Sequence, residues 1–381
     1  MSLPPKRRSR GQRHSRCCLQ RPMKISIVDT SPVLAGSTAV EAFHTTVELA
    51  QLADHAGFSR YWLSELHGVR TNAGATPEVA VAAVASRTSN LRVGSGGVLL
   101  NHRSPYRVAE TFLQLHAMFP GRIDVGMGRA TSGQLIDFAL QQTRSAALPE
   151  ESYEDQAVEL LFWFEGFDDD HPFAKVPFFD GVAGRPEAWI LGSSPSSAMV
   201  AARLGLAYCF AAFLNPAAAQ ISLATYRREF RPSPFRAGLA TPYSMLGVNV
   251  VCAETEKDAL RVQAPGELVR RLAGAGHLPN GVPSATDAID QLGGLPDPTR
   301  YVPGSWSRSV AAAPARLREM LEAMVAEVEA DELIIQDLMA TPSDWFASYR
   351  LIAEVFDLPG GAPREANTAA GSATIGDAHA R

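Results

Sequence analysis

Three short apolar runs in the first half of the chain, each ending in a polar or glycine-rich cluster, constrain the fold most strongly. They occupy residues 58–63, 91–100 and 121–129. Segments with apolar residues at helical spacing separate them. Strands that alternate with helices predict a parallel sheet, and in a closed βα barrel the chemistry lies at the carboxyl ends of the strands. The residues that follow each run are therefore the first candidates for a functional site.

The same alternation continues along the rest of the chain. Five further strands are predicted from apolar runs of strand length, at residues 24–28, 189–191, 207–212, 244–252 and 332–336. Eight strands of this kind favour a (β/α)8 TIM barrel over an open doubly wound sheet. Residues 265–308 are rich in Gly and Pro and too long for an ordinary barrel connection. We expect them to form an insertion before strand 8 that covers the active site or contacts a second copy.

Charge separates the amino-terminal end from the remainder of the chain. The first 21 residues carry seven Lys and Arg and no acid, whereas the whole chain has a formal net charge of −5. The body is therefore acidic, which argues against a nucleic-acid surface on the fold. We predict a basic disordered leader at residues 1–22, a barrel at 23–358 and a disordered tail at 359–381.

The leader itself leaves three interpretations open. It is a nucleic-acid or nuclear patch, a degenerate targeting segment, or translation from upstream of a natural start at Met23. A secretory signal is disfavoured because no apolar core follows the charges. No window approaches the ~20 apolar residues of a membrane span. We predict a cytoplasmic protein with no membrane or nucleic-acid partner.

Two loops that follow predicted strands have the composition of an anion site. Gly-Met-Gly at residues 126–128 precedes Arg129, but the loop lacks the third glycine of a dinucleotide fingerprint. Its glycines otherwise serve only to end the strand tightly. The run Gly-Ser-Ser-Pro-Ser-Ser at 192–197 combines small hydroxyls with the start of a helix, which suits an anion. The alternative is that Ser194 or Ser196 is a simple N-cap. Together, Arg129 and this loop could hold one phosphate from two sides.

At this point the residues resemble a known family. Residues 58–129, residues 189–206 and the Asp-Thr-Ser-Pro run at 29–32 resemble the bacterial luciferase-like superfamily of flavin-dependent oxidoreductases, in its single-chain monooxygenase branch. The resemblance covers nearly all of residues 23–358. It implies a TIM barrel that binds reduced FMN (FMNH2), with the isoalloxazine ring in the barrel mouth. The deazaflavin F420 is the alternative cofactor, because its phosphate would meet the same groups.

Positions matched to the family give a candidate cofactor site. The resemblance implies that Arg129 and nearby serines hold the phosphate. It also places a non-proline cis peptide beneath the flavin ring at the first of two adjacent glycines, where the missing side chains let the backbone approach the ring. The implied cofactor-binding residues are Asp29, Gly96, Gly97, Arg129, Ser193, Ser194 and Ser197.

The loop after strand two departs from the family pattern. Many members carry Glu-His-His there, and the first histidine is the one usually assigned to proton transfer, whereas this chain reads Glu65-Leu66-His67. Leucine cannot donate, accept or shuttle a proton. Either His67 or His102 takes the acid/base role, or the chemistry needs no such group and Leu66 serves to keep the site dry.

Glu65 is the third catalytic candidate, and its role is also open. It is either a reactive group or a salt-bridge partner of Arg92 or Arg129. Asp29 and Glu65 are the only close carboxylate candidates at strand ends, which disfavours a sugar chemistry that needs paired carboxylates.

The resemblance therefore implies a flavin-dependent monooxygenase that uses reduced FMN and O2 to oxygenate a small organic substrate. The chain has no nicotinamide fingerprint of its own, so we expect a separate flavin reductase to supply the reduced flavin. A homodimer is expected through helices two and three, at residues 79–84 and 108–115. The rival functions are an F420-dependent oxidoreductase and a flavin-binding barrel that has lost catalysis.

Overall fold

The computed structural model describes four stretches of the chain, residues 23–130, 133–140, 153–179 and 181–360. The predicted leader at residues 1–22 and almost all of the predicted tail lie outside the described residues. Within them, no helix combines the length and the apolar character that a membrane crossing requires.

Ten parallel strands lie in one sheet. In chain order they are β1 Lys24–Asp29, β2 Arg60–Leu63, β3 Arg92–Ser95, β4 Val98–Leu99, β5 Ile123–Gly128, β6 Glu187–Gly192, β7 Ala207–Ala211, β8 Ser244–Cys252, β9 Ser309–Ala312 and β10 Glu332–Gln336. Strands β1, β2, β3, β5, β6, β7, β8 and β10 pair in that order, and β10 pairs again with β1. The result is a closed eight-stranded TIM barrel, as the sequence predicted.

Helices connect the strands on the outside of the barrel. Those of the described residues are α1 Ala39–Ala56, α2 Pro77–Ala85, α3 Pro105–Met118, α4 Gln134–Leu140, α5 Tyr153–Glu165, α6 Pro195–Leu204, α7 Ala219–Glu229, α8 Glu256–Gly274, α9 Ala285–Leu292, α10 Pro314–Val328 and α11 Pro342–Val355. Local chemistry sets their ends. For example, α1 begins at a capping box between Thr38 and Glu41 and ends at Gly57, whose φ of 87° suits glycine.

Two segments differ from the sequence expectation. The predicted third strand is interrupted between β3 and β4, whereas the cis peptide expected between Gly96 and Gly97 is confirmed. The predicted insertion is partly helical, since α8 continues through Pro265 and α9 follows. Proline usually ends a helix because it lacks the N–H donor. Residue 282 of the insertion pairs with residues 33–35, the loop that follows β1.

Side chains alternate between the barrel interior and the helix layer. Val28, Trp62 and Ile334 belong to an interior cluster, whereas their strand neighbours Ile27 and Tyr61 belong to the large core between strands and helices. This alternation is the period of two of a β-strand. It decides which residues at each strand end face the barrel mouth.

The amino ends of the strands close the barrel with buried charges. Arg60, only 6% exposed, donates to Asp124 at 2.8 Å and pairs with Glu187 at 2.9 Å and Glu332 at 3.3 Å. Burial opposes the charge on Arg60, but the three carboxylates outweigh it and raise its pKa. Burial likewise raises the pKa of Asp124, and Arg60 with Arg92 overcomes that and lowers it. This charge cluster closes the amino end of the barrel, opposite the carboxyl ends of the strands where chemistry is expected.

Removing the charge of Arg60 should make the barrel less stable. We expect Arg60→Met to lower the free energy of unfolding by about 3–5 kcal/mol, because buried carboxylates lose their counter-charge. Urea unfolding followed by circular dichroism measures the change. Arg107→Met is the control, because the Arg107 side chain is 76% exposed in its pair with Glu110 and should matter by less than about 1 kcal/mol. Equal effects of the two substitutions would contradict a stabilising role for the charge cluster.

Candidate functional site

The barrel mouth has a floor of backbone on the β3 and β5 side. A Cβ atom at Gly96 would lie 2.9 Å from Cβ of Trp62, and one at Gly126 would lie 2.2 Å from the Ser95 carbonyl oxygen. These positions therefore accept no side chain, and the cis peptide to Gly97 lies among them. Gly126 is buried, whereas Gly96 and Gly97 are half-buried, and a peptide without side chains can be approached closely by a flat ring system.

Arg129 and the glycine–serine loop meet at one corner of this mouth. β5 and β6 are neighbours, with Met127 opposite Ile190. The same register brings Arg129, directly after β5, level with Gly192 at the end of β6, about 5 Å away in the backbone. Arg129 is exposed. The two predicted halves of the phosphate grip are therefore on adjacent strands at the same end of the barrel.

The first turn of α6 is open to an anion. Ser194 occupies the N-cap position, but its side chain makes no capping hydrogen bond and instead lies 2.9 Å from Oγ of Ser196. The Ser197 hydroxyl is engaged internally, donating to the Ser194 carbonyl at 2.7 Å and lying 3.0 Å from the Tyr208 hydroxyl. The Ser194 and Ser196 hydroxyls thus contact each other instead of capping the helix, and the simple N-cap interpretation fails for both. The N–H groups of the first turn have no side-chain cap and are suited to an anion.

A hydrogen bond and close packing hold the backbone ahead of α6 in place. The Ser193 carbonyl accepts a hydrogen bond of 3.0 Å from the Asn215 side chain, which follows β7. A Cβ at Gly192 would lie 2.1 Å from Oγ of Ser197, so only glycine fits there. The loop is therefore preorganised by the neighbouring strand end.

Asp29 lies at the end of β1 but faces the helix layer. It accepts a hydrogen bond of 2.6 Å from the Tyr61 hydroxyl and one of 2.7 Å from the Ser31 N–H. Burial raises the pKa of Asp29, although these hydrogen bonds oppose the shift. Its carboxyl group fixes the loop after β1. A direct contact of Asp29 with a cofactor stays a prediction.

Glu65 is the centre of a buried polar network. Its carboxylate accepts hydrogen bonds from the Leu99 N–H and from Arg103, each at 2.9 Å, and lies 2.9 Å from Nε2 of His67. Burial lowers the pKa of Arg103, but the carboxylates of Glu65 and Glu78 outweigh it and raise that pKa. Glu65 thereby ties the β2 loop to β4 and to the start of α3.

The salt bridge expected for Glu65 has a different partner. The sequence suggested Arg92 or Arg129, but Arg103 forms the pair. Arg92 instead pairs with Asp124 at the opposite end of the barrel. Arg103 follows the interrupted third strand, and the interruption between β3 and β4 could not be read from the apolar pattern alone.

The two candidate histidines occupy different networks. His67 is held by Glu65, and its side chain is 16% exposed. His102 lies in a short 3-10 turn, with Nε2 3.4 Å from a carboxylate oxygen of Asp137 on α4. Neither histidine lines the cavity of the mouth, whereas Leu66 does. The structure therefore places Leu66, and neither of the two candidate histidines, in the wall of this cavity.

A cavity of about 200 Å³ opens on the β1, β8 and β10 side of the mouth. In the ring of eight strands this side lies opposite the β5–β6 corner that holds Arg129. Residues that line it include Leu66, Phe213, Asn249, Gln336 and Trp345. The two amide side chains were not predicted from the sequence. The available signal was a polar amide at the end of the run 332–336 for Gln336 and one inside the run 244–252 for Asn249.

The two glycines of β5 should tolerate a methyl group unequally. Gly126→Ala should lower the free energy of unfolding by about 1–3 kcal/mol, because its Cβ would overlap the Ser95 carbonyl oxygen. Gly128→Ala is the matched control, since its Cβ would meet nothing closer than 3.8 Å. Thermal unfolding of both variants measures the difference. Equal destabilisation would mean that the strands do not pack as described.

Comparisons with known proteins agree with the fold. The family model described as luciferase-like monooxygenase matches residues 23–293. The chain belongs to this family and is an oxidoreductase that incorporates oxygen.

Individual relatives are similar over most of the chain. A luciferase-like monooxygenase of Escherichia coli K12 is 34% identical over 87% of this chain and 96% of its own length. The N-acetyl-S-alkylcysteine monooxygenase of Bacillus subtilis is 40% identical over 51% of this chain and 58% of its own. The crystal structure of apo-MsnO8 is 37% identical, with a TM-score of 0.80 over 89% of this chain and all of that one.

More distant structures share the fold. The oxygenating constituent of 3,6-diketocamphane monooxygenase from Pseudomonas putida, in complex with FMN, is 19% identical with a TM-score of 0.63, over 88% of this chain and 98% of that one. An F420-dependent tetrahydromethanopterin reductase from Methanopyrus kandleri is 12% identical with a TM-score of 0.59, over the same shares of the two chains. A flavin or F420 as cofactor follows from this family, without a choice between them.

Proposed function

We propose that this chain is a monooxygenase that uses reduced FMN and O2 to oxygenate a small organic substrate. The observation that carries the proposal is the meeting of Arg129 and the uncapped start of α6 at one corner, beside a floor of bare backbone. An FMN molecule has a phosphate for the corner and a flat ring for the floor. The complex of FMN with a protein of the same fold supports this choice.

The residues of the chain have separable tasks in this proposal. The bound reduced flavin supplies the reaction with O2. Arg129 and the N–H groups of α6 neutralise the phosphate charge. The floor at Gly96 lets the ring lie against the sheet. Leu66 excludes water from the cavity, which protects reactive species from hydrolysis.

Proton transfer is assigned to His67 in this proposal. Glu65 fixes the ring of His67 through a contact of 2.9 Å to Nε2, and both follow β2 next to Leu66. An oriented histidine beside a carboxylate is a common acid/base unit. His102 is the second candidate, because Asp137 orients it in the same manner.

We propose that a separate reductase in the cytoplasm supplies the reduced flavin. We also propose that the active form is a homodimer. Val79 on α2 and Met118 on α3 are 67% and 58% exposed, which gives these helices apolar surface for a second copy. The reductase is testable directly. Full substrate oxidation by the purified protein with NADPH and FMN alone would refute that part of the proposal.

F420 is the second candidate cofactor, and the F420-dependent reductase of the same fold favours it. The absorption and fluorescence of the cofactor that co-purifies with the protein distinguish F420 from FMN. A barrel that binds flavin without catalysis is the third candidate. Tight binding of reduced FMN without oxygen uptake coupled to substrate would support it.

Arg129 should determine affinity for the phosphate. We expect Arg129→Ala to raise the Kd for FMN by about 10- to 100-fold, because a charge-assisted contact contributes about 1.5–3 kcal/mol. Quenching of flavin fluorescence measures the affinity. Arg228→Ala is the control, since Arg228 lies in the last turn of α7 and pairs with the adjacent Glu229. Unchanged FMN affinity in Arg129→Ala would refute the phosphate corner.

A proton-transferring group restored at Leu66 should change flavin reoxidation. We expect Leu66→His to alter the rate at which bound reduced FMN is reoxidised by O2 by about tenfold, because it adds an acid/base group to an apolar cavity. Stopped-flow absorbance measures the rate. The control is Leu278→His at a leucine that is 48% exposed. Identical traces for wild type and Leu66→His would remove Leu66 from the active site.

A further inference from the structure

Two amide side chains at the mouth form an oriented chain of hydrogen bonds. Asn249 ends the inward-facing series of β8 that includes Met245, and Gln336 ends the corresponding series of β10 that includes Ile334. Asn249 and Gln336 are paired in register, and both line the cavity of about 200 Å³. They are the amide groups that the strands themselves project into the mouth.

The orientation of both amides follows from one backbone carbonyl. Asn249 Nδ2 donates to the Arg308 carbonyl oxygen at 3.0 Å, and a carbonyl can only accept. Asn249 Oδ1 is thereby turned towards Gln336, whose Nε2 donates to it at 3.2 Å. The remaining oxygen, Gln336 Oε1, must then be the atom that Gln336 presents away from this pair. It accepts no hydrogen bond from the described residues.

Apart from Asp337, the other carboxylate and amide groups of the cavity wall are already paired. Asp29 accepts from Tyr61 and Ser31, and Asn72 donates to the Thr30 hydroxyl at 2.6 Å. Their hydrogen-bonding capacity is used to hold the loops of the mouth. They do not compete with the amide pair for a ligand.

Asp337, the residue that follows β10, also offers a hydrogen-bond acceptor. Asp337 accepts from Arg270 at 3.0 Å through Oδ1, but its buried Oδ2 has no partner among the described residues. Asp337 also lines this cavity, but Arg270 of α8 holds its Oδ1, whereas Gln336 is held by the strand residue Asn249. Gln336 is half-buried, so a ligand that displaces water from its Oε1 must donate a hydrogen bond in place of that water.

We infer that the molecule bound on the β8–β10 side of the mouth carries a hydroxyl or N–H group, which donates a hydrogen bond to Gln336 Oε1. This inference rests on the proposed function, because it takes the cavity to be the substrate side of the flavin site. We place the substrate in this cavity because the cavity lies opposite the corner that holds Arg129. Gln336 thereby determines specificity, with Asn249 and the Arg308 carbonyl as positioning groups.

Binding of three small probes to the full chain tests the inference. Cyclohexanol and cyclohexylamine carry the donor, and methylcyclohexane is a similarly sized alkane without it. Ligand-observed NMR gives the Kd of each probe, with and without saturating FMN. The quantity compared between wild type and variant is the ratio of the Kd of methylcyclohexane to that of each donor probe, because differences in hydration of the free probes cancel in that comparison.

Gln336→Met removes the acceptor and keeps the length of the side chain. We expect this variant to lower the ratio about fivefold for at least one donor probe, as the loss of one hydrogen bond implies. Which donor probe responds distinguishes a hydroxyl from an ammonium group. Gln263→Met is the matched control, because Gln263 is a buried glutamine of α8 that does not line this cavity.

The inference and the proposed function can fail separately. An unchanged ratio in Gln336→Met, or no binding of either donor probe to the wild type, would overturn the role of Gln336 even if FMN binds well. A ratio that falls as expected in a chain with no affinity for FMN would sustain the role of Gln336. It would refute the flavin proposal alone.

Discussion

The parallel register of eight strands determines where every functional group of this protein lies. Because all the strands point the same way and the sheet closes on itself, each loop that follows a strand is delivered to one rim. The period of two then decides which side chains enter the barrel. Arg129 and the start of α6, about 65 residues apart in the chain, become neighbours because β5 pairs with β6.

The two ends of the barrel divide stability from function. At the amino ends, Arg60 and its carboxylate partners fill the interior with paired charge and leave no room for a ligand. At the carboxyl ends, Gly96 and Gly126 replace side chains with bare backbone. Glu65 links the two tasks, since it fixes the β2 loop and at the same time orients His67. Rigid support of this kind keeps site groups in place without a bound ligand.

Much of the fold could be predicted from the sequence, because the eight strands are apolar runs bounded by Gly, Pro and polar residues. The strand β9 was missed, since its four residues, Ser309–Ala312, give too short a pattern. The continuation of α8 past Pro265 was missed because proline normally ends a helix, whereas here the helix continues and Gly266 packs closely against Asp337 and Leu338.

The site was predictable in part, for a related reason. The Arg129 corner could be found because a cation and a hydroxyl-rich loop each follow a strand. The amides Asn249 and Gln336 could not, because all nine residues of β8 are buried and no alternation reveals which face is inward. The partner of Glu65 depended on the break between β3 and β4, which requires the three-dimensional structure.

The most direct measurement compares the affinities of the wild-type protein for FMN and for riboflavin, which differ only by the phosphate. The account places Arg129 and the N–H groups of α6 on that phosphate, so FMN should bind at least about tenfold more tightly, with the difference shrinking at high salt. Equal affinities for the two flavins would contradict the account.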